Sequence, residues 1–208
     1  MTTSASSASA IASRLAPTNS VFAPRLVEHI KLTAIAVGIG FAISFTAAVI
    51  AYSMDWFETP FAILAAFLYT IPSLAFFQLM VPITGLTTTS AEIALVSYTL
   101  LILFRNTLTG LREVPEEART AARAMGLTEW QLLRRVELPL ALPAIMAGIR
   151  IATVTTISLA TIAAFIGVGG LGQPIFNAIQ SGFKTQFVAA GLLAVALALV
   201  ADALLVLV

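Results

Sequence analysis

The chain of 208 residues is 59% hydrophobic and only 10% charged, and its formal net charge is +1. Soluble domains carry about 25% charged residues, so this composition excludes an ordinary soluble domain. The chain has no cysteine and one histidine, which excludes a disulfide framework and a thiolate nucleophile, and no metal site is predicted.

Long uncharged runs predict membrane-spanning helices. They cover 23, 33 and 33 residues, at 32–54, 59–91 and 151–183. A helix needs roughly 20 apolar residues to cross a bilayer, so the two longer runs must bend, turn or include a loop. A membrane β-barrel would instead show alternating segments of about ten residues, and none is visible. The sequence therefore predicts an all-α polytopic membrane protein.

Residues 1–24 precede the first predicted helix and are rich in Ser, Ala and Thr. They lack the basic start and the compact apolar core of a signal peptide, so we interpret them as a flexible or interfacial arm. Residues 25–208 then form a single transmembrane domain. His29, at the mouth of its first helix, is interpreted as an interfacial polar residue.

Five crossings are predicted along this domain. The predicted helices cover about 30–53, 60–82, 91–109, 139–166 and 185–207. Pro72 lies inside the second helix and is expected to kink it, because proline removes a backbone hydrogen bond. Connecting segments are expected at 54–59, 83–90 and 167–174, the last followed by a short segment at 175–182.

A charged island at about 110–138 separates the third and fourth crossings. The surrounding stretch from Arg105 to Arg150 contains seven of the eleven Lys and Arg residues and five of the ten Asp and Glu residues. Loops rich in basic residues stay in the cytoplasm, so the island is predicted to be cytoplasmic. Three crossings precede it and two follow it, which places the N-terminus outside and the C-terminus in the cytoplasm.

The first part of the island, from Pro115 to Gly126, reads as a short amphipathic helix. Proline suits the first helical turn, the two glutamates that follow suit the positive end of the helix dipole, and glycine commonly follows a helix end. Arg119 and Arg123 lie on one side of this helix. The opposite face of the same helix carries small or apolar residues at helical spacing, namely Ala118, Ala121, Ala122 and Met125.

A second short helix is predicted after the glycine. Thr128 and Gln131 match a capping box, and Leu138-Pro139 is expected to close the island and start the fourth crossing. A short helix with an alanine face can approach another protein closely, and its flanking arginines can pair with carboxylates of that partner. The alternative is an ordinary solvated loop whose amphipathic helices lie on the membrane surface.

The order of residues in the island resembles the signature of the permease subunits of binding-protein-dependent ABC importers. That signature reads Glu-Ala-Ala, three residues, Gly, nine residues and Ile-x-Leu-Pro. The matching segments here are Ala121-Ala122, Gly126 and Val136-Glu137-Leu138-Pro139. Thr120 stands in place of the signature glutamate, and either Glu116 or Glu117, one turn earlier, is an alternative source of that carboxylate.

The resemblance implies a five-helix type I importer permease whose island forms a coupling helix in a groove of a cytosolic ATPase. The residues implied in this coupling are Glu117, Ala118, Ala121, Ala122, Met125, Gly126, Leu127, Val136, Leu138 and Pro139. ATP and magnesium would be bound by the partner ATPase, so this chain is expected to have no cofactor and no catalytic residue. The sequence contains no G-x-x-x-x-G-K-[ST] motif, as that expectation requires.

Segments outside the island extend the resemblance to importers of quaternary-amine osmoprotectants. They are EHIKLTAIAVGIG, YTIPSLAFFQLMVPITG, LFRNTLTGL and FIGVGGLGQPIF, within residues 28–208. The implied substrates are glycine betaine, choline, carnitine or proline betaine, with an amino acid or ergothioneine as the alternative. The implied partners are an ATPase dimer, a second permease that is identical or similar, an extracytoplasmic substrate-binding protein and the lipid of a bacterial or archaeal cytoplasmic membrane. No nucleic acid is expected, because no basic stripe with interleaved aromatic residues is present.

Polar and aromatic residues at membrane depth are candidates for the translocation pathway. They are Tyr69, Pro72, Ser73, Arg150, Thr153, Thr156 and Ser158. Arg150 would lie ~16 Å along a helix that begins at Pro139, so it either snorkels to the cytoplasmic side or acts as a gate or interhelical group. The hydroxyls either pack structurally or line a polar path. Tyr69, with Phe76, Phe77 and Tyr98, either contacts a quaternary ammonium or packs against helices and lipid.

The same sequence also bears on other classes of protein. The glycines at 167, 169 and 172 fit G-x-G-x-x-G, but they follow a membrane helix rather than a strand, so a tight turn is favoured over a nucleotide site. An ATP-independent channel or secondary carrier remains the alternative transport class, although no internal repeat is visible. A membrane-embedded enzyme would need His, Asp or Cys clusters that this composition does not supply.

Overall fold

The computed structural model describes residues 18–207, and the regular elements in that range are all helical. We number the α-helices in chain order as α1 (Thr18–Ser53), α2 (Asp55–Thr70), α3 (Ser73–Thr84), α4 (Thr88–Arg112), α5 (Glu116–Ala124), α6 (Glu129–Leu132), α7 (Leu138–Ile162), α8 (Gly172–Ser181) and α9 (Lys184–Val206). A π-helical turn, Leu133–Glu137, joins α6 to α7, and a 3-10 turn, Ala163–Ile166, follows α7.

Four helical segments of the described chain are long and apolar enough to cross a membrane. They are Phe22–Ser53, Thr88–Arg112, Glu129–Ile166 and Lys184–Val206. α2 and α3 pass the same test only as a pair, and they are bent by 98° at the break between them. The predicted number of five crossings is reached when this bent pair counts as one.

The first helix begins earlier than predicted. α1 starts at Thr18 rather than near residue 30, so the part of the predicted arm at 18–24 is helical, and residues 1–17 of that arm lie outside the described residues. The predicted loop at 54–59 is also shorter, because α2 begins at Asp55. Two acidic residues in the first turn of α2, Asp55 and Glu58, stabilise the positive end of the helix at that early start.

The second predicted helix is broken, not kinked. Ile71 and Pro72 adopt extended backbone angles, with ψ of 127° and 129°, and α3 begins afresh at Ser73. Steric conflict with the proline ring disfavours helical geometry at the preceding residue, which explains the break at Ile71. The hydroxyl of Tyr98 on α4 donates to the carbonyl of Ile71 and so satisfies a backbone group that the break exposes.

The fourth crossing is continuous with the second island helix. Pro139 was expected to start this crossing, but the helical path runs from Glu129 to Ile166 without interruption. The N–H of Leu138 bonds to the carbonyl of Leu133, five residues back, in the wider π turn. A proline near this wide turn is tolerated because it has no N–H to place. Pro174 lies in the first turn of α8, where its missing N–H is also not needed. Because α8 already begins at Gly172, the connecting segment after the fourth crossing is shorter than the predicted 167–174.

α1 and α4 run side by side in the same direction. Near their middles, the Ser44 hydroxyl on α1 donates to the carbonyl of Leu100 on α4 at 3.1 Å. Further along both helices, Ala51 and Leu108 belong to one buried cluster. Both helices therefore end at the same end of the bundle, which we call the island end because the island follows α4 there.

The bent pair α2–α3 returns the chain to the opposite end of the bundle, the far end. α2 begins beside the last turn of α4, where Arg112 Nη1 donates to Glu58 Oε1 at 3.1 Å. α3 ends beside the first turn of α4, where the hydroxyls of Thr84 and Ser90 lie 2.6 Å apart. The pair thus covers the height of the bundle once, as the second predicted crossing requires.

α4 is the central helix, and it contacts α1, α2, α3 and α7. It packs closely against α7 through small residues: a Cβ built on Gly110 would lie 2.7 Å from Cβ of Ala144. Small residues allow helix backbones to approach in a membrane, where packing rather than hydrophobic burial drives association. At the periphery, α9 exposes most of its apolar side chains, as a helix in contact with lipid does.

His29 ties α1 to the glycine loop, residues 167–171, at the far end. The ring is fully buried; Nδ1 accepts from the N–H of Leu171 at 3.2 Å, and Nε2 lies 3.0 Å from the carbonyl of Ile157. A neutral ring with its proton on Nε2 satisfies both groups. Interpreting His29 as interfacial is therefore wrong: buried backbone groups of the loop and of α7 need partners, and the imidazole supplies them.

The glycine loop lies directly on this histidine. Gly170 has φ +67°, and its N–H donates to Glu28 Oε2 at 2.9 Å. A Cβ built on Gly170 would lie 2.7 Å from His29 Nδ1, closer than real Cβ contacts. The loop can therefore adopt this position only without a side chain at residue 170.

We expect Gly170→Ala to destabilise the protein by about 1–3 kcal/mol, because a non-glycine residue would be strained in this conformation and would also displace His29. The measurement is the midpoint of thermal unfolding of the purified protein in detergent. Gly182→Ala is the matched control, since Gly182 has a similar φ of +70° but open space around its Cβ position. An equal loss in both variants would attribute the whole effect to backbone conformation and none to packing on His29.

Candidate functional site

The island folds as a helical hairpin whose turn is formed by Gly126. Gly126 has φ +78°, its N–H donates to the carbonyl of Arg123 at 2.9 Å, and the N–H of Leu127 donates to the carbonyl of Ala122 at 3.2 Å. These two bonds define a Schellman motif, in which a left-handed residue ends a helix and satisfies its last carbonyls. The predicted end of the first island helix is confirmed.

The second island helix begins with the predicted capping box. The Thr128 side chain accepts from the N–H of Gln131 at 3.4 Å, and the Gln131 side chain accepts from the N–H of Thr128 at 3.0 Å. The turn between the two helices is therefore hydrogen-bonded on both sides of Gly126. It holds two large apolar side chains at the surface, since Met125 is 72% exposed and Trp130 is 65% exposed.

The predicted apolar face of α5 does not form a single surface. Ala122 is buried and Ala118 half-buried, whereas Ala121 and Met125 are exposed. The cause is the position of α5, which packs against the π turn and α6 along one side only. We call the exposed hairpin residues that form no ion pair with a described side chain the outer surface of the island, and they are Glu117, Thr120, Ala121, Ala124, Met125, Gly126, Thr128 and Trp130.

The remaining residues implied in coupling lie away from this outer surface or beside it. Leu127, Val136 and Leu138 are half-buried, and Pro139 is exposed at the start of α7. Glu117, the alternative for the missing signature glutamate, is exposed and forms no ion pair with any described side chain. Glu116, the other alternative, pairs with Arg119 at 3.2 Å and Arg123 at 3.6 Å.

Arg119 points into the protein and holds a buried carboxylate. Its Nε donates to Glu137 Oε1 at 2.9 Å, and its Nη2 donates to the carbonyl of Leu111 at 2.8 Å. The hydroxyl of Tyr52, at the end of α1, donates to the same Glu137 oxygen at 2.5 Å. The Glu137 side chain is 4% exposed and that of Arg119 is 15% exposed. We call Arg119, Glu137 and Tyr52 the buried polar cluster.

The two island arginines were expected to face a partner protein. The structure corrects this for Arg119, which points inward, whereas Arg123 is exposed and pairs with Glu116 and Glu129. Burial alone lowers the pKa of Arg119, but hydrogen bonding to Glu116 and the charge of Glu137 outweigh it, so the pKa is raised and the guanidinium stays charged. A hydrogen bond to Glu129 raises the pKa of Arg123, which is exposed. Removing one partner of a buried ion pair typically costs about 3–5 kcal/mol, which explains why Arg119 turns inward.

The residues proposed for the pathway fall into two groups. Tyr69, Pro72 and Ser73 lie at the break between α2 and α3, where the Tyr69 ring meets Tyr98 edge to face at 6.0 Å. Tyr69 is 41% exposed, whereas the other aromatic residues, Phe76, Phe77 and Tyr98, are buried. These three therefore pack between helices, and only Tyr69 presents an accessible ring.

The second group lies on α7, and its members occupy different faces of that helix. Thr156 is buried and Ser158 is exposed. The hydroxyls of Thr153 and Ser158 donate to the carbonyls four residues before them, at 2.7 and 3.2 Å. Thr153 also lines a largely apolar cavity of about 430 Å³ between α1, α7 and α9.

Arg150 pairs with the last helix. Its Nε and Nη2 donate to Oδ1 and Oδ2 of Asp202 on α9, both at 3.0 Å. This two-bond geometry is the strong form of an arginine–carboxylate pair. Of the two interpretations of Arg150, the interhelical one describes its position in the structure.

The sequence analysis did not identify Glu137, Tyr52 or His29 as site or anchoring residues. Glu137 has a visible signal, since it is an isolated acid between Val136 and Leu138, next to the membrane helix. His29 begins a buried stripe that continues at Leu32 and Ala36, with the spacing of one helix face. Tyr52 has no comparable signal, because a tyrosine at the end of a membrane helix usually indicates an interfacial position.

Comparison with known proteins places this geometry in a family. Residues 31–208 match the family of binding-protein-dependent transport system inner membrane components. The osmoprotectant import permease protein OsmW of Salmonella typhimurium is 41% identical over 183 residues, which cover 86% of this chain and 85% of that protein. The choline transport system permease protein OpuBB of Bacillus subtilis is 36% identical over 84% of this chain and 81% of its own length.

Solved structures agree on the fold. A chain of the methionine ABC transporter MetNI, in an inward-facing conformation, superimposes with a TM-score of 0.78 over 91% of this chain and 95% of its own, at 24% identity. A chain of an amino acid ABC transporter gives 0.77 over 93% and 95%, at 20% identity. Sequence and fold together establish that this multi-pass chain belongs to the family of inner membrane components of binding-protein-dependent transport systems, the permeases of ABC importers.

Proposed function

We propose that this chain is the permease subunit of an ATP-driven importer of quaternary-amine osmoprotectants. The single observation that carries the coupling part of the proposal is the outer surface of the island. It is a rigid, hydrogen-bonded turn that exposes Met125 and Trp130 beside small residues. An exposed apolar turn with a polar surround is the kind of surface that docks into a groove of another protein.

The docking partner in this proposal is a cytosolic ATPase dimer, which binds ATP and magnesium and supplies the energy. This chain itself performs no hydrolysis and holds no cofactor. ATP binding would draw the two ATPases together and move the docked islands, which would change the crossings from inward-facing to outward-facing. Ala121, Met125 and Gly126 would contact the ATPase, and the exposed Glu117 would supply the carboxylate that the signature has one turn later.

A second permease, identical or similar, completes the assembly in this proposal. Five crossings are too few to enclose a pathway, so the pathway would form between two chains. An extracytoplasmic binding protein would deliver the substrate. The island end faces the cytoplasm, because it carries the dense basic cluster, which places the N-terminus outside and the C-terminus inside. The membrane is the cytoplasmic membrane of a bacterium or archaeon.

The substrate class rests on the relatives. Several are named as osmoprotectant, carnitine or choline permeases, and EgtU of Helicobacter pylori is named as an ergothioneine transport permease and binding protein. A quaternary ammonium group is shared by glycine betaine, choline, carnitine and ergothioneine. The exposed ring of Tyr69, at the break between α2 and α3, is suited to such a cation by cation–π contact.

We expect Met125→Arg to reduce the ATPase that co-purifies with the tagged chain in mild detergent by tenfold or more. The long charged side chain would put an unpaired charge into the proposed apolar contact. Quantitative mass spectrometry of the purified complex measures the ratio. Ser181→Arg, an exposed position at the far end, is the matched control and should retain the wild-type ratio. A wild-type chain that carries no ATPase would favour the channel or carrier alternative.

The turn at Gly126 gives a second prediction. Gly126→Val should lower substrate uptake by membrane vesicles at least tenfold, because a β-branched residue is a genuine outlier at φ +78° and would distort the turn. Gly126→Asn should retain most of the uptake, because asparagine tolerates this conformation. Immunoblotting of the vesicles checks that both variants reach the membrane. Equal uptake by Gly126→Val and the wild type would show that the turn at Gly126 is not needed for coupling.

The substrate proposal predicts that uptake depends on an aromatic ring at position 69. Uptake of radiolabelled glycine betaine, carnitine, choline and ergothioneine should be measured in vesicles that contain the complete complex. Tyr69→Phe should support nearly wild-type rates, whereas Tyr69→Leu should lower the rate for the transported quaternary amine about fivefold, as expected for loss of roughly 1 kcal/mol of cation–π attraction. A complex that hydrolyses ATP but takes up none of the four compounds would leave another solute as substrate.

A further inference from the structure

Three helical elements of the described chain meet at one carboxylate. Glu137 belongs to the π turn that leads into α7, Arg119 lies on α5, and Tyr52 lies in the last turn of α1. Glu137 Oε1 accepts from Arg119 Nε at 2.9 Å and from the Tyr52 hydroxyl at 2.5 Å. The guanidinium of Arg119 also lies over the Tyr52 ring, 5.8 Å from its centroid.

The buried polar cluster differs in kind from the other charged contacts of the island. Arg123 pairs with Glu129 at 3.2 Å and Glu116 at 3.6 Å, but all three side chains are at least 49% exposed. Exposed pairs of this type exchange with water and are screened by salt. Glu137 is almost fully enclosed, so its ion pair with Arg119 is screened far less by water and salt than those exposed pairs are.

Arg119 also reaches back to the helix that precedes the island. Its Nη2 donates to the carbonyl of Leu111, in the last turn of α4, at 2.8 Å. One planar guanidinium therefore links α5 to α4 and, through Glu137, to α1 and α7. A planar group with several donors in fixed directions holds such a junction more rigidly than a flexible ammonium.

We propose that Arg119, Glu137 and Tyr52 form a strut that transmits displacement of α5 to the membrane helices α1 and α7. The proposal rests on the docking of the island to an ATPase proposed above. The outer surface of the island receives the motion, and the strut on its inner side passes it on. Arg119 and Glu137 are positioning residues in this assignment, because neither touches substrate or nucleotide.

The assignment predicts uncoupling rather than loss of assembly. In proteoliposomes that contain the complete importer, Arg119→Met should keep the wild-type amount of bound ATPase and hydrolyse ATP within about twofold of the wild-type rate. The number of glycine betaine molecules transported for each ATP hydrolysed should fall tenfold or more. Tyr52→Phe, which keeps the ring and removes one of the two bonds, should lower this ratio about threefold.

Two controls test whether the lower transport-to-hydrolysis ratio reflects lost transmission of motion, and not misfolding or the loss of a positive charge from α5. Arg123→Met removes an arginine from the same helix and should leave the transport-to-hydrolysis ratio unchanged, since its pairs are exposed. The reversed pair Arg119→Glu with Glu137→Arg should recover part of the ratio that Arg119→Glu alone abolishes. A purely structural role would lower the yield of complex and leave the ratio per assembled complex unaltered.

Each outcome decides between the two proposals. A wild-type complex without an ATPase contradicts the proposed function itself. An Arg119→Met complex that loses its ATPase contradicts the strut and makes the cluster a support for the docking surface. An assembled Arg119→Met complex with the wild-type ratio also contradicts the strut. The strut is supported if the Arg119→Met complex still hydrolyses ATP but transports tenfold less glycine betaine for each ATP, while the Arg123→Met complex keeps the wild-type ratio.

Discussion

The structure depends on one constraint: polar groups that packed helices shield from water must find partners inside the protein, because neither an apolar interior nor hydrocarbon replaces the lost hydrogen bonds. Arg150 and Asp202 pair across α7 and α9, His29 satisfies one N–H and one carbonyl at the far end, and Arg119 with Tyr52 holds Glu137 at the island end. Each solution joins elements that are distant in sequence. The helices are therefore positioned by a few polar contacts as well as by close packing of small residues.

Two buried polar side chains depart from this rule within the described residues. The oxygens of Glu92 on α4 and the hydroxyl of Thr33 on α1 have no hydrogen-bond partner there. Both lie toward the far end, because α1 and α4 run parallel from that end to the island. The far end thus combines the hydrogen-bonded ring of His29 with unpaired polar atoms, whereas the buried Glu137 at the island end accepts two hydrogen bonds at Oε1.

The island is better described as an extension of the fourth crossing than as a loop. Its second helix continues through the π turn into α7, and its first helix is held against that turn by Arg119 and Ala122. A displacement of the hairpin would therefore act directly on α7. This continuity gives the coupling proposal its mechanical basis, since a flexible loop would absorb the motion instead.

The sequence by itself determined the class of the fold and several local helix ends. Hydropathy predicts the helical class and the number of crossings, and local rules predict the end of α5 at Gly126 and the start of α6 at Thr128, because such signals act over a few residues. Arg119 could not be assigned a direction in this way, nor could the hydrogen-bond partners of His29 be predicted, because these partners lie 18 and 128 residues away. Likewise, the carbonyl exposed by the break at Ile71 accepts a hydrogen bond from Tyr98, 27 residues later. Contacts of this range depend on how the helices pack, and only the tertiary structure decides which side chains they bring together.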